Sequence, residues 1–146
     1  MFSVSKSYEI SIAHTISGHE SCGRRHGHNI TLTLEFQGRL LNESGMVIDF
    51  HDIDKIAKPT IELLDHSEII PNVHPPDYRG EPSMENIAIY VYGRVLKSLQ
   101  ENAQEILNKY GNIVTVVDGK PILPLPELQS VTISETKNNT VKYWRS

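Results

Sequence analysis

Apolar and polar residues alternate along two stretches in the first third of the chain. Tyr8, Ile10 and Ile12 interleave with Glu9 and Ser11, and Ile30, Leu32, Leu34 and Phe36 interleave with Thr31, Thr33 and Glu35. A period of two with one apolar face predicts two half-buried antiparallel strands, the second closed by Gly38. A turn around 42–45 and a short extended stretch, Met46-Val47-Ile48, follow. The period then lengthens to that of a helix. Asp49 stands as the N-cap of a segment running toward Leu64, with Ile53, Ile56 and Ala57 on one stripe, and Pro59 inside it should kink or divide it. The segment from Ser67 to Pro82 carries Pro71, Pro75, Pro76 and Pro82 and reads as a long loop. Ser83 caps a second, longer helix with Met84, Ile87, Ala88, Val91, Val95 and Leu99 as its stripe and Gly111 as its stop. Strands return at Ile113 to Val117, Val131 to Glu135 and Val141 to Trp144. Helices grouped between strands make an α+β pattern, and a four-stranded sheet of this size leaves edges open to pairing between subunits.

The same alternation locates three histidines. Continuing the inward series of the first strand beyond Ile12 gives His14, and reading the second strand backwards from Ile30 gives His28 and His26. Three imidazoles therefore prolong the buried faces of neighbouring strands at one end of the sheet, and Gly27 between two of them leaves the opposite face bare. Each ring taken singly reads as a satisfied, half-buried side chain. Taken together, on one face, they form the three-nitrogen ligand set of a catalytic zinc that keeps its fourth position open. His19, His51 and His74 have no such placement and read as surface or loop residues.

Composition narrows the remaining choices. The 146 residues suffice for a single domain, 1–146, with one core, and no internal repeat or linker divides them. A hydrophobic share of 38% and a charged share of 22% fit a soluble globular protein, and no apolar run is long enough to span a bilayer. A cytoplasmic location is the expectation, without a signal peptide. The formal net charge of −4 argues against a general nucleic-acid binder. Cys22 is the chain's single cysteine, four residues before His26 and beside Arg24 and Arg25, surroundings that would lower a thiol pKa. It reads as a reactive thiol, a fourth metal ligand or an inert buried side chain, and spacing does not separate these. Glu135 shares the parity of Val131 and Ile133. A carboxylate so placed serves either a buried ion pair or a planar ligand donating two parallel N–H bonds. Asp65-His66 is either an acid–base dyad or a helix C-terminal turn with a favourable histidine.

Six motifs in order complete the picture: Ala13-His14; Cys22-Gly23-Arg24-Arg25-His26-Gly27-His28-Asn29; Gly45-Met46-Val47-Ile48-Asp49-Phe50; Leu64-Asp65-His66; Pro82-Ser83-Met84-Glu85-Asn86; and Ser134-Glu135-Thr136. Together they resemble the 6-pyruvoyl-tetrahydropterin / 6-carboxy-tetrahydropterin synthase family, across nearly the whole chain. The resemblance implies the tunnelling fold, an antiparallel sheet with two helices inserted between strands 2 and 3, assembled as trimers that pair into hexamers with active sites between subunits. It implies zinc on His14, His26 and His28, an active-site thiol at Cys22, an Asp-His pair at Asp65 and His66, and a pterin-anchoring carboxylate at Glu135. The short gap between Cys22 and His26-Gly27-His28 is similar to that of the 6-carboxy enzymes of the queuosine pathway, whereas 6-pyruvoyl enzymes carry a longer one. A subgroup that replaces the cysteine with glutamate is disfavoured by Cys22, although Glu20 stands close by. The expected reaction takes 7,8-dihydroneopterin triphosphate to 6-carboxy-5,6,7,8-tetrahydropterin, acetaldehyde and triphosphate, with Arg24, Arg25, Arg79 or Lys137 meeting the triphosphate. The rival readings are the 6-pyruvoyl product and a zinc- or pterin-binding protein without turnover.

Overall fold

The computed structural model describes residues 1–39, 44–110, 115–117, 120–122 and 125–145. Two 13-residue strands, β1 (Phe2–His14) and β2 (His26–Gly38), form its spine. They pair antiparallel over their full length, from Phe2 opposite Gly38 to His14 opposite His26. The inner positions Ile10, Ile12, Ile30, Leu32, Leu34 and Phe36 are all at most 3% exposed. The alternating sequence predicted this face, and β1 runs six residues further back than its apolar pattern indicated.

Two helices, α1 (Phe50–Leu64) and α2 (Met84–Glu101), pack on the sheet, and α3 (Ala103–Tyr110) follows α2 and buries Ile106. Asp49 caps α1 by accepting from the His51 N–H, and Ser83 caps α2 by accepting from that of Asn86. Pro59 does not divide α1. Its buried stripe of Ile53, Ile56, Ala57, Thr60, Ile61 and Leu64 holds the segment together. Lys55, whose carbonyl loses its helical donor, and Pro59 itself are both exposed, so water can take the freed group. The long second helix, in contrast, ends early. Asn102 turns both its backbone N–H and its side-chain amide onto the Ser98 carbonyl, and the chain restarts as α3. The stop expected at Gly111 lies outside the described residues.

Among the described residues the main sheet has five strands, not four, in the order β3 (Ser67–Glu68), β1, β2, β6 (Glu127–Ser134) and β7 (Thr140–Trp144). The additional member, β3 (Ser67–Glu68), runs parallel to β1 beside Ile12 and Ala13, so the sheet is not purely antiparallel. Two residues are too few to show a period. The strand expected at 113–117 is described only as β4 (Thr115–Val117), which pairs with β5 (Lys120–Ile122) in a separate hairpin. Its first two residues lie outside the described ones, as do the first two of the turn expected at 42–45. β6 (Glu127–Ser134) begins four residues before Val131, because a bulge opposite Glu35 and Phe36 resets its parity. Leu128 and Val131 can therefore both face the helices, while Ser130 bonds to Glu35. β7 (Thr140–Trp144) closes the order. Among the described residues no helix is long and apolar enough to cross a membrane.

Candidate metal and pterin site

The strand register delivers His14 directly opposite His26, and His28 opposite Ile12. All three rings emerge on the helix side at the end where β1 and β2 open into their connecting loop. Ring centroids stand 4.5 Å (His14–His26), 5.1 Å (His14–His28) and 4.8 Å (His26–His28) apart, and one ring nitrogen from each lies within 4.8 Å of the others. That spacing lets the three nitrogens converge on a single metal ion.

Hydrogen bonds fix which nitrogens face inward. His14 Nδ1 is 2.6 Å from the Pro82 carbonyl and donates to it, leaving Nε2 as the lone pair. His26 Nδ1 donates in the same way to the Arg24 carbonyl at 2.7 Å, again freeing Nε2. Backbone carbonyls behind imidazoles set the tautomer and orient the ring for a metal. Nε2 of both His14 and His28 is buried with no hydrogen-bond partner. Each such orphan costs about 1–3 kcal/mol unless something is supplied to it. A divalent ion bound by three neutral imidazoles supplies it, so the residues fit a metal. His14 is 1% exposed, and burial pushes its pKa below the ordinary histidine value, with the neighbouring imidazoles adding to the effect. It is thereby kept in the neutral, ligating form.

The Pro82 carbonyl is held by its surroundings. The preceding Glu81 carbonyl accepts from the Tyr78 hydroxyl (3.0 Å), the Asn86 amide (2.9 Å) and the Ser83 N–H (2.9 Å). The Glu81 carboxylate takes the Ser17 N–H at 2.9 Å, tying the start of the β1–β2 loop to the start of α2. Reading the chain by parity could not find Glu81 and Pro82, because their service to His14 spans 68 positions and runs through a main-chain oxygen.

Glu135 follows β6 at once, and its Oε1 lies 3.0 Å from His28 Nε2. The approach misses hydrogen-bond geometry, so this is a close electrostatic contact and the ring nitrogen stays unpartnered. The Thr136 hydroxyl accepts from Asn138 and Asn139, and the Glu135 N–H donates to the Asn139 carbonyl, which fixes the turn carrying the carboxylate.

The other candidates sit apart. Cys22 is half-buried in the β1–β2 loop and does not join the histidine group, so a fourth-ligand role has no geometric support. Asp65 and His66 do meet: Oδ2 and Nδ1 are 2.9 Å apart, with the imidazole 80% exposed. Asp65 also takes the Ser11 N–H at 2.9 Å, and this bond, ahead of His66, holds its carboxyl below the usual range. This pair borders an open cleft of about 430 Å³ with Glu9, Ser11, Asn29 and Thr31, the outward positions of β1 and β2. It faces the side of the sheet opposite the three imidazoles. Arg25 is exposed and paired with Glu68 at 2.9 Å, Arg24 is exposed, and Arg79 donates to carbonyls of its own loop. His74 donates to the Leu63 carbonyl at 3.0 Å.

Comparisons with known proteins accord with this geometry. Residues 3–109 match the family model described as 6-pyruvoyl tetrahydropterin synthase. A Haemophilus influenzae 6-carboxy-5,6,7,8-tetrahydropterin synthase is 38% identical over 74 residues, which is 47% of this chain and 52% of that protein. A Rickettsia bellii protein of the same name is 28% identical over 121 residues, covering 70% of this chain and 86% of that one. The solved Caenorhabditis elegans 6-pyruvoyl tetrahydropterin synthase superposes with a TM-score of 0.70 at 20% identity, over 99% of this chain and 96% of that chain. The fold is therefore the expected one, with its sheet extended by β3. The chain belongs to the 6-pyruvoyl tetrahydropterin synthase family.

Proposed function

We propose that the chain is a zinc-dependent lyase that converts 7,8-dihydroneopterin triphosphate and one water to 6-carboxy-5,6,7,8-tetrahydropterin, acetaldehyde and triphosphate. The observation that carries this reading is the group of three imidazoles with two buried, orphaned Nε2 atoms and no fourth protein ligand among the described residues. Such a site leaves a position for substrate, unlike a closed structural centre. Zinc held by His14, His26 and His28 supplies Lewis acidity toward the hydroxyls of the substrate side chain.

The protein groups divide the remaining work. Glu135, beside His28, accepts the paired N–H donors of the pterin edge and sets the ring against the imidazoles. Cys22 and His66 move protons to and from the side-chain carbons, with Asp65 orienting His66. Because the Asp65–His66 cleft opens on the opposite face of the sheet, one chain does not assemble the whole set. His66 acts in the site of a neighbouring subunit, in a hexamer built from trimers of this single domain. Arg24 and Arg25 lie toward the triphosphate.

The 6-carboxy product is favoured over 6-pyruvoyl by the names of the Haemophilus and Rickettsia relatives and by the three residues separating Cys22 from His26. Incubating the zinc-loaded protein with 7,8-dihydroneopterin triphosphate should release acetaldehyde and yield a carboxypterin by mass spectrometry. A pyruvoyl product without acetaldehyde would select the rival reaction, and no turnover would leave only a binding protein.

A further inference from the structure

The loop between β1 and β2 is knotted onto one imidazole that the metal site does not use. The Ile16 N–H donates to the Cys22 carbonyl at 2.9 Å, and the His19 N–H donates to the Ile16 carbonyl at 3.3 Å. The Cys22 N–H in turn donates to His19 Nδ1 at 3.0 Å, and the Ser21 hydroxyl stands 3.3 Å from the same nitrogen. Both backbone polar groups of Cys22 are thus tied within the loop. Among the described residues the one hydrogen-bond contact of its thiol is the Ser21 hydroxyl, at 3.8 Å. Gly23 shows how tightly the turn folds back, since a Cβ there would stand 2.5 Å from the His19 carbonyl oxygen. A backbone N–H can donate only to a bare nitrogen, so the neutral His19 ring carries its proton on Nε2.

We infer that His19 is a positioning residue for Cys22: its imidazole, acting as a hydrogen-bond acceptor, fixes the backbone from which the thiol projects. The inference rests on the reading of Cys22 as the proton-relaying group. His19 is exposed and contributes little packing, so its removal should leave the core intact and act on the thiol's placement. An asparagine there can offer a carbonyl oxygen to an N–H a few residues on, as in Asx turns, and should restore the tie.

The chain's single cysteine makes the test clean. The zinc-loaded full chain is compared with His19→Ala and His19→Asn by the rate of iodoacetamide alkylation, kcat and KM for dihydroneopterin triphosphate, and zinc per chain. For His19→Ala, alkylation should quicken about fivefold as the loop opens, and kcat should fall about tenfold, the scale of a sub-ångström misplacement of a reacting group. KM and zinc content should stay as in the parent, and His19→Asn should recover alkylation rate and kcat to within about twofold. An alkylation rate and kcat unchanged in His19→Ala would overturn the inference, as would a loss of zinc alongside kcat. A fully active Cys22→Ala would instead refute the catalytic reading of the thiol, a result the alkylation rates do not depend on.

Discussion

The two faces of the sheet use the same strands for opposite ends. On the helix side, Ile10, Ile12, Ile30, Leu32, Leu34 and Phe36 are sealed from solvent, and the series ends in His14, His26 and His28. On the other side, β1 and β2 present hydroxyls, amides and carboxylates that bond across strands: Ser7 to Thr33 and Ser11 to Asn29, each at 2.8 Å, and Ser3 to Glu35 at 2.6 Å. The apolar face contributes stability through burial. At its end it provides a dry wall against which the His14 imidazole is held neutral. The polar face satisfies itself locally, and the Asp65–His66 cleft opens onto it. Core and site are continuous on one face; on the other, the polar surface is free for a partner.

Removing a ring from the end of the apolar face should give the largest effect. His28→Ala should lose stoichiometric zinc, measured on dialysed protein, and reduce acetaldehyde release at least about a thousandfold, because two remaining nitrogens do not make a zinc site. One step smaller, Leu32→Ala in the middle of that face should cost about 3 kcal/mol in urea unfolding of the metal-free protein, since Leu32 is fully buried on a central strand. The polar face should respond less, and in a pH-dependent way. Hydrogen bonds from Ser3, then from Lys142 and Ser130, hold the Glu35 carboxyl at about 2 instead of its usual 4.5. The folded state therefore favours the carboxylate. Its contribution is whole above pH 4.5 and fades as pH falls through about 2. Glu35→Gln should accordingly lower stability by about 2 kcal/mol at neutral pH, with the difference from the parent shrinking toward pH 2. A pH-independent difference would mean that Glu35 acts by packing alone.

Legibility in the sequence followed the same division. Wherever strict alternation runs, as in β1, β2 and the end of β6, the residues announced both the buried face and the histidines and Glu135 at its end. Features that depend on one or two backbone contacts were silent. β3 is two residues long, and the bulge in β6 erases the parity that would have extended it to Glu127. The break at Asn102 comes from one side chain competing for the Ser98 carbonyl within an otherwise helical stripe. The Asp65–His66 contact could not be read from adjacency. It follows from His66 taking a positive φ of 55°, which lets neighbouring side chains meet. His19 looked like a loop residue because nothing in its spacing predicts that Cys22 turns back upon it.

The pairing of His14 with His26 across the open end of the hairpin also bears on how the chain finds its native alignment. Sliding β2 past β1 by one residue would send His26 and His28 to the solvent face while His14 stayed beneath the helices. A misaligned hairpin therefore could not chelate. Metal capture during folding would reward only the correct strand pairing, making the ion a proofreader of topology before it has any substrate to act on.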